Sequence, residues 1–224
     1  MNSFLSFLFN SPCSLCEAKT NNIICEYCYH KLISCQLSNP IIKLPNKDYF
    51  LFIWGGYENY LKRSIFTLKY DHKKELGEVF GQFLAKSWFE HNLWEKNQKI
   101  TIVPIPLHPQ KIKERGFNQA ELVAKSFCEI TGYHHLPNLL TRVKNTDAMF
   151  GLNPTARKNN ITQAFTMGKD YPRFNRQHSV IILDDIYTTG ATVEEVIRVL
   201  NILQIKVLGV MAIASSLKIK NHGE

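Results

Sequence analysis

The chain has 224 residues, 45% of them hydrophobic and 21% charged, with a formal net charge of +8 and a pI near 9.1. That is enough for one sizeable core, alone or with a small appendage, and it excludes a disordered polyelectrolyte. No run approaches the ~20 apolar residues that span a bilayer. The basic clusters, such as Lys62-Arg63, Lys73-Lys74 and Arg157-Lys158, never merge into a nucleic-acid-binding tail. The positive charge still suits a polyanion, whether nucleic acid, anionic lipid or a phosphorylated small molecule.

Residues 1–9 are apolar but carry no basic stretch and no small-residue cleavage site, so a cytoplasmic protein is expected. Four of the six cysteines then form two Cys-x-x-Cys pairs, Cys13/Cys16 and Cys25/Cys28, eight residues apart. Two such knuckles suit tetrahedral thiolate coordination of zinc, and so short a segment cannot bury a core without a staple. A disulfide framework is disfavoured without a secretory signal, and no βαβ unit adjoins to make a redox pair. His30 and Cys35 stand near enough to substitute for a ligand, whereas Cys128 lies in a helical apolar pattern and is expected in the core. Residues 1–40 are expected to form this module and residues 41–224 the main domain.

Residues 49–54, Tyr-Phe-Leu-Phe-Ile-Trp, read as a strand stopped by Gly55-Gly56. Apolar spacing predicts helices over 58–70 and 73–92, a strand over 99–105 and a helix within 110–131. A short strand over 139–142 precedes a polar, turn-rich segment, 144–160, that reads as a mobile loop. A strand over 180–183, a helix over 191–203 and a strand over 206–213 follow. Strand, helix, strand, helix, strand is the order of an α/β fold with a parallel sheet flanked by helices.

The most informative stretch is Val-Ile-Ile-Leu-Asp-Asp-Ile-Tyr-Thr-Thr-Gly-Ala-Thr, from Val180 to Thr192. Its apolar residues suit a strand buried on both faces, and ligands of parallel sheets gather at the carboxyl ends of such strands. Thr188, Thr189, Gly190, Ala191 and Thr192 fall where free amides at a helix N-terminus can point at an anion. The hydroxyls add donors, and Gly190 admits close approach. Asp184 and Asp185 would repel a phosphate, but they can accept hydrogen bonds from sugar hydroxyls or bind a cation. Diol acceptors beside a phosphate cradle describe a site for a ribose 5-phosphate. A strand ending in Asp-Asp also fits a nucleotide-hydrolysing enzyme, but no Gly-x-x-x-x-Gly-Lys-Ser/Thr loop accompanies it. The purely structural alternative is a buried strand ending in a capped turn.

A second constellation begins at Val103-Pro104-Ile105-Pro106-Leu107-His108, where two prolines end strand pairing. Lys111, Lys113 and Arg115 follow, then Gly116-Phe117-Asn118-Gln119. These cations could bind a pyrophosphate at the same sheet edge as Asp184, or simply solvate a helix start.

The stretch at 180–192 resembles the phosphoribosyltransferase signature. That resemblance implies that Asp184 and Asp185 hold the ribose hydroxyls of phosphoribosyl pyrophosphate (PRPP), with the Thr188–Thr192 turn on its 5-phosphate. Pro-x-Pro-Leu-His followed by Glu-Arg-Gly-Phe-Asn-Gln resembles the ComF family of competence proteins, a phosphoribosyltransferase-like group with an N-terminal cysteine module. The similarity covers nearly the whole chain, including the loop from Arg142 to Phe165. It implies a type I phosphoribosyltransferase-like fold with a pyrophosphate loop at Pro106, Leu107, His108 and Arg115. Zn2+ would sit on Cys13, Cys16, Cys25 and Cys28, and Mg2+ would accompany the PRPP. It also implies a cytoplasmic role in passage of single-stranded DNA during natural transformation, with a ComFA-type helicase as partner and recruitment to the inner face of the membrane through partners. Many relatives carry a second cysteine set, of which only Cys35 remains here. Met149 stands where the family often has Gln, while Arg157 and Asn160 keep the surrounding pattern.

Two functions follow from these residues. One is a PRPP-binding DNA-uptake factor. The other is an active phosphoribosyltransferase working on an unidentified nitrogenous acceptor, a reaction that needs charge placement more than a nucleophile.

Overall fold

The apolar runs assemble into one six-stranded sheet in the computed structural model, which describes residues 11–93, 99–145 and 163–217. A small hairpin of β1 (Ser11–Pro12) and β2 (Lys19–Thr20) and a helix α1 (Glu26–Ile33) come first. Then follow β3 (Ile41–Lys43), β4 (Phe50–Gly56), α2 (Asn59–Tyr70), α3 (Leu76–Glu90), β5 (Ile100–Pro104), α4 (Pro109–Arg115), α5 (Gln119–Thr131) and β6 (His134–His135). A two-stranded ribbon of β7 (Leu140–Arg142) and β8 (Phe165–Met167) precedes β9 (Ser179–Tyr187), α6 (Ala191–Ile202) and β10 (Val207–Ser215).

The main sheet is ordered β3-β4-β10-β9-β5-β6. All its pairings are parallel except that of β3 with β4 at one edge. The fold class is therefore α/β, with a mostly parallel sheet between helices. Side chains alternate across it with the period of two of extended chain. Phe52, Trp54, Ile181, Leu183 and Met211 face α2, α3 and α5. Leu51, Ile53, Val180, Ile182 and Val210 face α6 and the ribbon. Each of these is fully buried, and truncating one to Ala costs about 2–5 kcal/mol.

Helices α3 and α5 press together through glycines. A Cβ on Gly77 would lie 2.5 Å from Leu122 Cβ, and one on Gly81 would lie 2.4 Å from Ser126 Cβ. The cysteine-bearing segment docks on the same layer. Cys13, Ile24, Cys28 and Leu32 belong to the core that includes α2 and α3, and the Tyr29 ring meets Phe83 edge-on at 5.5 Å.

Several elements differ from the sequence expectation. The helix expected over 73–92 starts only at Leu76, after a turn held by Leu76 N–H to Lys73 O. The helix within 110–131 is two helices, broken at Gly116, which caps α4 in the left-handed region at φ 86°. Strand β4 runs through Gly55-Gly56 instead of stopping there, because β10 continues to pair with it up to Ser215↔Gly56. Strand β9 likewise extends past Leu183 to Tyr187, held by Ala212↔Asp184 and Ser215↔Tyr187. Most of the loop expected over 144–160, including Met149, Arg157 and Asn160, lies outside the described residues. No helix among the described residues is long and apolar enough to cross a membrane.

Candidate functional site

The sheet topology fixes where a ligand can enter. After β5 the chain leaves through α4 and α5 on one face, and after β9 it leaves through α6 on the other. Adjacent parallel strands whose connections depart to opposite faces open a crevice between their carboxyl ends. Pairing between β5 and β9 ends at Pro104↔Leu183, with a last bond from Ile105 N–H to Leu183 O at 2.8 Å. Asp184 and Asp185 are the next two residues of β9. They stay paired to β10 on one side, and β5 has left them on the other.

Alternation sends the two acids apart. Asp185 is buried on the α2 side, where the ammonium of Lys69, in the last turn of α2, forms an ion pair with its Oδ2. Burial alone would raise the Asp185 pKa, but Lys69 more than offsets it and the carboxyl is held below its ordinary value. Lys69 is raised in turn, since Asp185 outweighs the effect of burial. Asp184 is half-buried, and burial followed by the Asp185 charge pushes its carboxyl well above the ordinary range. Its Oδ1 accepts the Asp185 N–H at 2.8 Å. Arg142, at the end of β7, is depressed by burial and partly restored by the charge of Asp184.

Beyond Tyr187 the chain turns into α6. Thr188 and Thr189 are exposed, Gly190 is buried, and Ala191 and Thr192 are half-buried. Gly190 adopts φ 77°, and a Cβ there would lie 2.4 Å from the Tyr187 hydroxyl, so only glycine makes this turn without strain. The first intrahelical bond runs from Glu194 N–H to Gly190 O at 2.8 Å. The amides of the first turn therefore have no intrahelical acceptor and present the positive end of the helix dipole. Glu194 does not fill that space: it accepts from Tyr49 Oη at 2.6 Å and meets Lys47 at 2.7 Å.

The facing loop leaves β5 through buried Pro106 and half-buried Leu107 and His108. His108 caps α4, its Nδ1 accepting from Gln110 N–H at 3.3 Å. Asn118 locks the loop by donating to Ile105 O at 3.0 Å. Arg115 ends α4 and is bonded to Gln119, and its charge acts on both Lys69 and Asp185. Lys69, Tyr70, His72, Lys111, Glu114 and Arg115 line a small cavity of ≈ 180 Å³ at this edge. The structure thus brings the 184–192 turn and the 106–115 loop to one end of the sheet. It adds Lys69 and Arg142, which sequence reasoning missed. Lys69 sits at an ordinary helical position, with no neighbouring signal that it turns inward.

The cysteines form a separate cluster. The Sγ atoms of Cys13, Cys16, Cys25 and Cys28 all lie within 4.8 Å of one another, with Cys13–Cys28 at 3.7 Å and Cys16–Cys25 at 3.6 Å. Four sulfurs about 2.3 Å from a tetrahedral zinc stand about 3.8 Å apart, so this donor set fits a metal ion. Burial would raise the Cys13 thiol, but the amides of Cys25, Leu15 and Cys16 bring it down to about 6. Cys25 N–H reaches Cys13 Sγ at 3.2 Å, the kind of bond that stabilises a thiolate ligand. Cys35 instead points at Lys31 O at 3.3 Å, and exposed His30 faces Glu26, so neither joins the set.

No family model matches the chain. It is 26% identical over 214 residues to Competence protein F of Haemophilus influenzae, covering 92% of this chain and 90% of that one. It is 25% identical over 195 residues to the DNA utilization protein YhgH of Escherichia coli K12, covering 84% and 83%. Competence protein ComFC of Streptococcus pneumoniae is 28% identical over 149 residues, covering 64% and 58%.

Proposed function

Because the chain is ComF/ComFC-like, we propose that it is a PRPP-binding protein with a phosphoribosyltransferase-like fold that aids uptake of single-stranded DNA. The names of the relatives, Competence protein F and DNA utilization protein, support the DNA-uptake part. One observation carries the PRPP part: an acid pair and a glycine-pivoted helix start meet at the crevice between β5 and β9.

In this reading the amides and hydroxyls of Thr188, Thr189, Gly190, Ala191 and Thr192 hold the 5-phosphate. Asp184 accepts hydrogen bonds from the ribose hydroxyls. Asp185, fixed by Lys69, braces it and keeps a negative charge on the strand. Pro106, Leu107 and His108 shape the opposite wall, and Arg115 and Lys111 face the pyrophosphate, whose remaining charge Mg2+ neutralises. Zinc on Cys13, Cys16, Cys25 and Cys28 fastens α1 to the sheet domain, which gives the segment 1–40 a structural role. A helicase of the ComFA type is the expected partner, in the cytoplasm or at the inner face of the membrane.

Calorimetric titration of PRPP with Mg2+ into the full chain tests this. Heat with the wild type and none with Asp184→Asn, which keeps the Lys69–Asp185 pair, supports the reading. No heat with the folded, metal-loaded wild type removes it. Pyrophosphate release on adding a purine, pyrimidine or amine acceptor would turn the binding protein into a transferase.

A further inference from the structure

Among the described residues, four aromatic rings stand exposed: Tyr27, Phe66, Tyr70 and Phe89. Three of them lie along one track. Arg63, Phe66 and Tyr70 recur at helical spacing on the outer face of α2, and the Phe66 and Tyr70 rings lie 4.6 Å apart. At the start of α2 this stripe runs into a cavity of ≈ 930 Å³ between α1 and the carboxyl ends of β4 and β10. Tyr27, Lys31, Tyr57, Tyr60 and Arg63 are among the residues that line it. At the far end, Tyr70 lies against Arg115 at 5.3 Å from the ring centroid. Helix α2, twelve residues and about 18 Å long, joins the two ends.

Exposed aromatics alone would suit many partners. Here the rings carry cations: Lys31 stands 5.6 Å from the Tyr27 ring and Lys62 stands 5.7 Å from the Tyr57 ring. Lys31, Lys62 and Arg63 are themselves exposed, with Glu58 the acid among the groove residues. A positive track interleaved with accessible π-faces is what an unpaired strand requires, since its bases stack on rings and its phosphates follow the cations. A duplex, with its bases already stacked, gains nothing from the rings.

We propose that this track, from Tyr27 over Arg63 and Phe66 to Tyr70, is the bed for single-stranded DNA. It rests on the DNA half of the function above and is independent of PRPP binding. It also gives the cysteine-bearing segment a second role, because α1 supplies one wall of the groove. The track ends beside Arg115, so strand and PRPP would be held at neighbouring places on one edge of the sheet.

The test is fluorescence polarisation of a labelled oligothymidylate of about 20 nucleotides, longer than one site, with the full chain. Tyr27→Ala and Phe66→Ala are each expected to weaken binding about 5- to 100-fold. Arg63→Glu should weaken it and flatten its salt dependence. All three should titrate PRPP like the wild type, which separates failure of this proposal from failure of the PRPP reading. Wild-type oligonucleotide affinity in both aromatic variants overturns it, as does equal affinity for duplex of the same length. Loss of DNA uptake in cells with oligonucleotide binding intact would also overturn it, in favour of a protein-docking face.

Discussion

Lys69 on α2 and Asp185 on β9 form a buried ion pair across the helix–sheet interface, next to an acid, Asp184, whose charge is disfavoured first by burial and then by Asp185. Asp185 is held by Lys69, and in the proposed reading Asp184 is the acid that meets the ligand. The proposed ribose diol would supply hydrogen-bond donors that stabilise the ionised form of Asp184, at the place where β5 leaves the sheet open.

Lys69→Met should therefore be severely destabilising. The Lys69 and Asp185 side chains are 16% and 7% exposed, so the variant leaves a buried carboxylate without its counterion. Breaking such a pair from one side costs about 3–5 kcal/mol, at about 2–4 °C of melting temperature per kcal/mol for a chain of this size. Lys69→Met/Asp185→Leu should recover most of that loss. Thermal denaturation of the three proteins checks this, and a single variant that melts with the wild type would refute it.

The pH dependence of the two acids runs in opposite directions. For Asp184, raised in the folded state, the contribution to stability is complete below the ordinary carboxylate pKa of about 4 and is lost as pH rises through the raised value. For Asp185, lowered in the folded state, the contribution is present above that ordinary value and lost as pH falls. Asp184→Asn keeps an oxygen for the Asp185 N–H and removes the disfavoured charge. It should melt higher than the wild type at pH 8, converge with it near pH 4, and bind no PRPP. Superimposable melting profiles across that range would show that Asp184 carries no such burden.

The 184–192 turn was legible because its chemistry is contiguous: strand, acids, hydroxyls and glycine are consecutive in the chain. The order of strands and helices gave the α/β class for a similar reason, since each element carries its own period. Lys69 was not legible, because its role comes from the end of α2 meeting Asp185 on β9, a relation between residues 116 positions apart. Arg142 was hidden in the same way, as β7 finds its partner β8 only across a long intervening segment. The extra length of β4 and β9 is also a tertiary effect. Gly55 and Asp184 are poor strand residues by themselves, and both are held extended by β10 between them.

The cysteine cluster predicts a metal-dependent fold for its segment. Purified protein should carry a single zinc, and Cys16→Ser/Cys25→Ser should lose it. Because Cys13, Cys28 and Leu32 share the core of α2 and α3, the loss should lower the melting temperature and loosen Tyr29 from Phe83. Metal analysis together with hydrogen exchange over α1 measures both effects. Unchanged protection of α1 in the metal-free variant would mean that packing alone holds it.

Gly190→Ala tests the proposed phosphate cradle without touching a charge. At φ 77° an alanine is strained, and its Cβ would drive into the Tyr187 hydroxyl. The strain costs about 1–3 kcal/mol. Tyr187 is itself buried beside Tyr49 and Glu194, so it has little room to yield, and the turn from Thr188 to Ala191 must move instead. Moving it re-aims the amides that open α6. The variant should therefore lose PRPP affinity by more than its loss of stability explains, while oligonucleotide binding along α2 stays at the wild-type level. Calorimetry and polarisation on the same preparation give both numbers. An alanine variant that binds PRPP normally would place the phosphate somewhere other than this turn.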